Sequence, residues 1–170
     1  MLFYPYYCGR NPTERSYAME SLKERLLRKW SKNPAPIERP SSMLVADDDS
    51  DIVGTIKETA AVEMHTCAVD TCGNGNACVS MWMEKRYPII ILDMMMPGRS
   101  GFLVVEKINE ELRLHPAERP VIIVITGNMS KRHKPYFETL GIDGYLFKPL
   151  KMEELFTAIR HALEKRRPAP

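Results

Sequence analysis

Most of the chemistry this sequence can offer sits in four places. Asp47, Asp48 and Asp49 form an acidic triplet after the apolar run MLVA. Asp93 closes the run PIIILD, Thr126 closes PVIIVIT, and Lys148 follows GYLF and precedes Pro149. Gathered at one place, the carboxylates of Asp47, Asp48 and Asp93 repel one another unless a cation joins them. Carboxylate, carbonyl and water oxygens suit Mg²⁺ or Mn²⁺ rather than zinc. Such an ion beside a free carboxylate, a lysine and a hydroxyl is an arrangement for holding a phosphoryl group. The carboxylate can itself be the nucleophile and form an aspartyl phosphate. Taken singly, each residue has a plainer use: an Asp triplet caps a helix and a Lys-Pro step closes a turn. The set acquires meaning only if the fold collects it.

The hydropathy pattern supplies such a fold. From residue 43 onward, short apolar runs alternate with amphipathic stretches. MLVA (43–46) predicts a strand, and DDDSD supplies helix-capping residues ahead of Ile52, Val53, Ile56 and Ala60. A weak second strand is placed near 65–70, and the Asn74–Gly75 turn leads into a helix over about 76–86. PIIILD (88–93) is a third strand, and Val104, Val105, Ile108 and Leu112 mark the third helix of this body. PVIIVIT (120–126) is a fourth strand. A fourth helix is read through Met129, His133, Tyr136, Phe137 and Leu140, with Pro135 inside it. GYLFK (144–148) is the fifth strand, and Met152, Leu155, Phe156, Ile159, Ala162 and Leu163 form the clearest helical stripe. Five β-α repeats imply a doubly wound parallel sheet with helices on both faces, and the continuously apolar strands agree. Sites in such sheets lie at the carboxyl ends of the strands, where these acids, the hydroxyl and the lysine stand.

In this setting, LVADDD, ILDMMMPGRSG, IVITGN and GIDGYLFKPL together resemble the receiver domain of two-component response regulators, over about residues 42–165. The resemblance implies a flavodoxin-like five-stranded parallel sheet of order 2-1-3-4-5. It implies Asp93 as phosphoacceptor from a phosphohistidine on a histidine kinase or histidine phosphotransfer protein. Mg²⁺, or Mn²⁺ in its place, would be held by Asp48, Asp93 and the main-chain carbonyl of Met95, with Asp47 reaching it directly or through water. Lys148 would pair with Asp93 and then with the phosphoryl oxygens, and Lys148–Pro149 would be a cis peptide. Thr126 would move toward the phosphoryl group and Tyr145 would change rotamer with it, switching the surface of helix 4, strand 5 and helix 5. Met95, two residues past the acceptor, has no side-chain group to orient a hydrolytic water, so phosphate loss is expected to be slow; Asn128 is a second candidate to hold such a water. A haloacid-dehalogenase-type phosphatase would need an acid where Met95 stands.

The remainder of the chain sets bounds. Of 170 residues, 44% are hydrophobic and 27% charged, with a net charge of +2, which points to neither nucleic acid nor an anionic membrane as a partner. Residues 1–40 form a basic leader carrying +4, with a predicted helix over 13–30 and a Pro-rich linker, SKNPAPIERPSS, from residue 31. Residues 41–166 are the receiver body and 167–170 a frayed tail. No run approaches the roughly 18 apolar residues of a membrane span. Cys8, Cys67, Cys72 and Cys78 show no zinc spacing and read as free thiols in a reducing, cytoplasmic setting. CGNGNAC (72–78) reads as a turn, and the connection RLHPAERP (113–120) as a surface embellishment. The expectation is a stand-alone signalling receiver, not an enzyme on external substrates. It would act on an unknown downstream protein, without a DNA-binding output domain, and a phosphorylation-linked homodimer is compatible with the resemblance. Three alternatives accompany it: the C-terminal receiver of a hybrid histidine kinase, a metal-dependent phosphatase, and a phosphorylation-independent scaffold.

Overall fold

In the computed structural model, residues 40–114, 116–127 and 139–166 are described. The predicted leader helix over 13–30, most of the linker, Asn128, nearly all of the fourth predicted body helix and the tail 167–170 lie outside these residues. The strands are β1 (Ser42–Ala46), β2 (Ala68–Cys72), β3 (Ile89–Asp93), β4 (Val121–Thr126) and β5 (Gly144–Phe147). They pair in parallel throughout, in the order β2-β1-β3-β4-β5. The described helices are α1 (Ser50–Glu63), α2 (Gly75–Lys85), α3 (Gly101–Leu112) and α4 (Met152–Lys165), with a 3₁₀ turn at Pro116–Glu118. The flavodoxin-like doubly wound sheet expected from the sequence is the observed architecture.

Alternation along the strands builds two cores from one sheet. Leu44, Ala46, Ile90, Leu92, Ile122 and Val124 face α2 and α3 and pack with Trp82, Tyr87, Val104, Val105 and Ile108. Met43, Val45, Ile89, Ile91, Val121, Ile123 and Ile125 face the other way, onto Ile56, Ala60, Leu155, Phe156 and Ile159 of α1 and α4. Every residue of β3 and β4 is buried, so these strands need apolar side chains on both faces and read as unbroken runs. Each fully buried Ile or Leu contributes about 1.5–3 kcal/mol, which fixes the strand register.

The structure corrects two sequence readings. The second strand runs over Ala68–Cys72, not 65–70. Met64 caps α1, and the Cys67 N–H donates to its carbonyl at 2.7 Å, so the preceding residues are spent on closing the helix. β2 is an edge strand of partly exposed residues, which leaves little apolar signal to locate it. The 113–120 connection is a clamp rather than an embellishment. Arg119 Nη2 donates to Gly141 O at 2.6 Å, and Arg166 Nη1 donates to Arg119 O at 2.6 Å. Arg166 Nη2 also reaches both oxygens of Asp143, at 2.8 and 2.7 Å, and Asp143 Oδ2 accepts the Ile122 N–H at 2.8 Å. The start of β4 is thereby tied to the end of α4.

Trp82 anchors the α2 side of the core. Its ring is fully buried, the Arg86 guanidinium lies 4.5 Å from its centroid, and its indole N–H has no hydrogen-bond acceptor among the described residues. Trp82→Ala is expected to cost about 3–5 kcal/mol in urea unfolding. Trp82→Phe should cost less than half as much, because it removes ring volume but no hydrogen bond; equal losses for the two variants would contradict this packing.

Candidate functional site

Adjacent acids in the triplet Asp47–Asp48–Asp49 take three different places. Asp47 continues β1 and is buried; its N–H donates to Cys72 O at 3.1 Å, which fixes its direction. Asp49 is the N-cap of α1, its Oδ1 accepting from the N–H of Asp51 at 3.0 Å and of Ile52 at 3.3 Å. Asp48, between them, is exposed. Asp93, at the end of β3, is 3% exposed; its Oδ1 accepts the Met95 N–H at 3.0 Å. Oxygens of Asp47, Asp48 and Asp93 all lie within 4.8 Å of one another.

Lys148 enters from the end of β5. Its N–H donates to Thr126 O at 2.9 Å, extending the β4–β5 ladder by one bond, and the peptide to Pro149 is cis, as the resemblance implied. Nζ then lies 2.7 Å from Asp93 Oδ2, and 3.2 and 3.0 Å from the two oxygens of Asp47. Burial alone would lower the pKa of this ammonium, but its hydrogen bonds to Asp93 and Asp47 override that and hold it above the ordinary lysine value. One lysine serves two carboxylates and stands closer to Asp93. Asp47 is left with the deficit: burial first, and the charge of Asp93 after it, raise its pKa despite the Asp49 N–H and Lys148. Its Oδ2 touches Lys148 only as an ion pair and makes no well-directed hydrogen bond.

Asp48, Asp49, Asp93, Met95, Gly127 and Lys148 line a cleft of about 380 Å³. The donor set fits a hard divalent cation: three carboxylates, one of them with a buried oxygen that lacks a well-directed hydrogen bond among the described residues. Thr126 is 1% exposed, and its hydroxyl has no hydrogen-bond partner among the described residues. Tyr145 lies on β5 beside Val124, half-buried, with its ring edge-to-face on Phe147 at 6.0 Å. Met94 and Met96 are buried, whereas Met95 is 72% exposed at the cleft.

Sequence reasoning missed the residues that hold the loop between β3 and α3. A Cβ on Gly75 would lie 2.0 Å from Arg99 O, so only glycine lets that carbonyl sit against the first turn of α2. Arg99 Nε donates to Asn76 Oδ1 at 3.1 Å, and Asn74 caps α2 through the Ala77 N–H at 2.9 Å. Gly101 packs on the same loop from the other side; a Cβ there would lie 2.5 Å from Asp93 O. The signal was present in CGNGNAC and in PGRSG, but nothing in either pattern says that the two touch.

Comparison with known proteins agrees with this geometry. A family model described as response regulator receiver domain matches residues 43–160. The transcriptional regulatory protein ResD of Bacillus subtilis is 26% identical over 125 residues, covering 74% of this chain and 49% of the relative. TcrA of Mycobacterium tuberculosis, also named a transcriptional regulatory protein, is 29% identical over 128 residues, covering 75% and 47%. The chain therefore spans about half the length of these curated relatives. Among solved structures, the receiver domain of the Francisella response regulator 1452 superposes with a TM-score of 0.62 at 25% identity, over 75% of this chain and 99% of that one. The chemotaxis response regulator CheY4 of Vibrio cholerae, at 22% identity and a TM-score of 0.60, covers 72% of this chain and 98% of its own and shares the fold.

The raised pKa of Asp47 has a consequence for stability. A carboxyl whose folded pKa exceeds its unfolded value supports the fold in its protonated form, fully below the ordinary value of 3.8. That support is lost as pH rises through the folded value. In metal-free buffer, the wild-type protein should therefore lose stability relative to Asp47→Asn as pH is raised from about 4 toward neutrality. Millimolar Mg²⁺ at neutral pH should recover the loss in wild type and leave the variant unchanged. Urea unfolding with and without Mg²⁺ measures both, and parallel pH profiles for the two proteins would refute this assignment.

Proposed function

Because the chain belongs to the response regulator receiver family of two-component signalling, we propose that Asp93 accepts a phosphoryl group from a phosphohistidine on a histidine kinase or phosphotransfer protein. The observation that carries this reading is the Asp93 carboxylate itself: lining the cleft, 2.7 Å from Lys148 and inside a three-acid cluster. In the transfer, a carboxylate oxygen of Asp93 attacks phosphorus. The new O–P bond replaces the N–P bond, and the imidazole keeps the electron pair and takes up a proton. Asp47, Asp48, Asp93 and the Met95 carbonyl would hold Mg²⁺, which supplies positive charge against the phosphoryl oxygens. Lys148 trades part of its contact with Asp93 for those same oxygens.

Thr126 and Tyr145 link this chemistry to the surface in the proposal. The Thr126 hydroxyl is buried and has no partner among the described residues, so an anionic oxygen at Asp93 gives it an acceptor to move toward. Its movement opens the space into which the Tyr145 ring turns, next to Phe147, which is 49% exposed. The surface read by a partner is then β5, α4 and the segment before β5, shifted between two pre-existing arrangements. In this reading the receiver acts as a switch whose altered surface is read by a partner protein. No helix among the described residues is long and apolar enough to cross a membrane. Cys67, Cys72 and Cys78 are free thiols, which supports action in the cytoplasm.

Incubation with a small acyl phosphate tests the chemistry. The intact mass should rise by a single phosphoryl group with Mg²⁺, and not with EDTA or in Asp93→Ala. The label should then decay slowly in Mg²⁺ buffer, because the side chain at Met95 cannot orient an attacking water. Labelling that survives Asp93→Ala would overturn the acceptor, and catalytic turnover of the acyl phosphate in place of a stable adduct would favour a phosphatase.

A further inference from the structure

The turn between β2 and α2, residues 72–76, touches two of the segments that build the acidic cleft. The Cys72 carbonyl accepts the Asp47 N–H at 3.1 Å, and a Cβ on Gly73 would lie 4.0 Å from the Asp47 carbonyl oxygen. Four residues on, Gly75 seats the Arg99 carbonyl, and Asn76 Oδ1 accepts Arg99 Nε at 3.1 Å. Between these contacts the turn is braced, because Asn74 Oδ1 accepts the Ala77 N–H at 2.9 Å and Asn74 O the Cys78 N–H at 3.1 Å. Asp47 and the loop that carries Met95 are thus both referenced to the same few residues. We propose that the contact of Gly75 and Asn76 with Arg99 makes the cleft selective for Mg²⁺ over Ca²⁺, by fixing the Met95 carbonyl relative to Asp47. This rests on the reading of the cleft as a cation site. Asn76 and Arg99 are positioning residues, since neither lines the cleft.

The loop between β3 and α3 is tied at its base. The Met94 N–H donates to Ile125 O at 3.1 Å, and the Met94 carbonyl accepts the Gly101 N–H at 3.2 Å. The Met95 N–H donates to Asp93 Oδ1 at 3.0 Å. Beyond these bonds the chain bulges outward through Pro97, Gly98 and Arg99, and Gly98 turns it at φ +77°. This arc is what α2 holds. Gly98 faces the Asn76 amide, where a Cβ would lie 3.5 Å from Nδ2, and a Cβ on Gly75 would lie 2.0 Å from Arg99 O. The base bonds set where the loop starts and ends; the α2 contact sets how far its arc stands from the turn that directs Asp47.

Selectivity follows from what each kind of donor can do. Mg²⁺ demands near-octahedral oxygens at about 2.1 Å, whereas Ca²⁺ accepts more ligands, at about 2.4 Å, in looser arrangements. A carboxylate side chain adjusts to either ion by rotating. A main-chain carbonyl adjusts only if its loop moves. With the arc seated on α2, the carbonyl at Met95 keeps a fixed separation from Asp47 and the site favours the smaller ion. With the arc released, the site can widen, which costs Mg²⁺ its close contacts and Ca²⁺ much less. The exposed Asn76 is well suited to this role, because its side chain can be changed without touching the core or any proposed ligand.

The test is calorimetric titration of Mg²⁺, and separately of Ca²⁺, into the full chain in metal-free buffer. Asn76→Ala should weaken Mg²⁺ binding by about tenfold and Ca²⁺ binding by much less, so that the ratio of the two affinities falls. Asn76→Asp keeps an acceptor for Arg99, and its added charge attracts both divalent ions alike, so the wild-type ratio should return. Gly75→Ala pushes the Arg99 carbonyl off its seat and should lower the ratio as Asn76→Ala does; if that variant fails to fold, the Asn76 pair decides. Urea unfolding in EDTA should give the same midpoint for wild type and Asn76→Ala. An unchanged ratio in Asn76→Ala, equal losses for the two ions, or no recovery in Asn76→Asp would each overturn the positioning role while leaving the cation site in place. No Mg²⁺ binding by the wild type would overturn the cation site itself, and this proposal with it.

Discussion

Three carboxylates and one ammonium within a few ångströms set the constraint on which the rest of this structure depends. Lys148 reaches Asp93 at 2.7 Å and Asp47 at 3.0 Å, and cannot neutralise both while Asp48 stands beside them. The site is thus short of positive charge when it is empty of ligand; the pKa of Asp47 is raised first by its burial, and the charge of Asp93 adds to that. A cation would relieve the shortage, and in the proposed chemistry a phosphoryl group on Asp93, which replaces one carboxylate charge by about two phosphate charges, would increase the need for that cation and for Lys148. In the proposed function this imbalance is what favours cation binding, and the fold is what maintains it.

The fold can maintain it because the acids are directed by backbone rather than by one another. β1 carries Asp47 out of a strand whose preceding four residues are buried, and the Cys72 carbonyl holds its N–H. β3 delivers Asp93 from a strand buried along its whole length. The loop after it is pressed between Gly75 and Gly101, two positions where a methyl group would collide with backbone atoms. The polar clamp of Arg119, Asp143 and Arg166 lies at the other end of β4 and steadies the sheet without touching the site. Stability and chemistry occupy opposite ends of the same strands, so residues can be costly at the site without unfolding the protein.

How much of this was legible in the sequence follows from the length scale of each signal. PIIILD and PVIIVIT announce buried parallel strands because both faces of each must be apolar, and the acids and lysine stand where such strands end. The α4 stripe is read from helical period alone. β2 was misplaced because an edge strand with exposed Ala68 and Thr71 carries little hydropathic contrast. The contacts of Arg99 with Gly75 and Asn76, and of Arg166 with Asp143, join residues more than twenty positions apart. No local pattern encodes them, so the clamp on the loop after β3 and the role of Arg119 emerge only in three dimensions.

The central claim is that Asp47, Asp48 and Asp93 are held together in order to share a hard divalent cation. Calorimetric titration of Mg²⁺ into the wild-type protein and into Asp48→Asn tests it most directly, because Asp48 is exposed and its replacement leaves the core untouched. The account predicts a single Mg²⁺ site in wild type and its loss in the variant. No binding to wild type, or equal binding to both proteins, would contradict it.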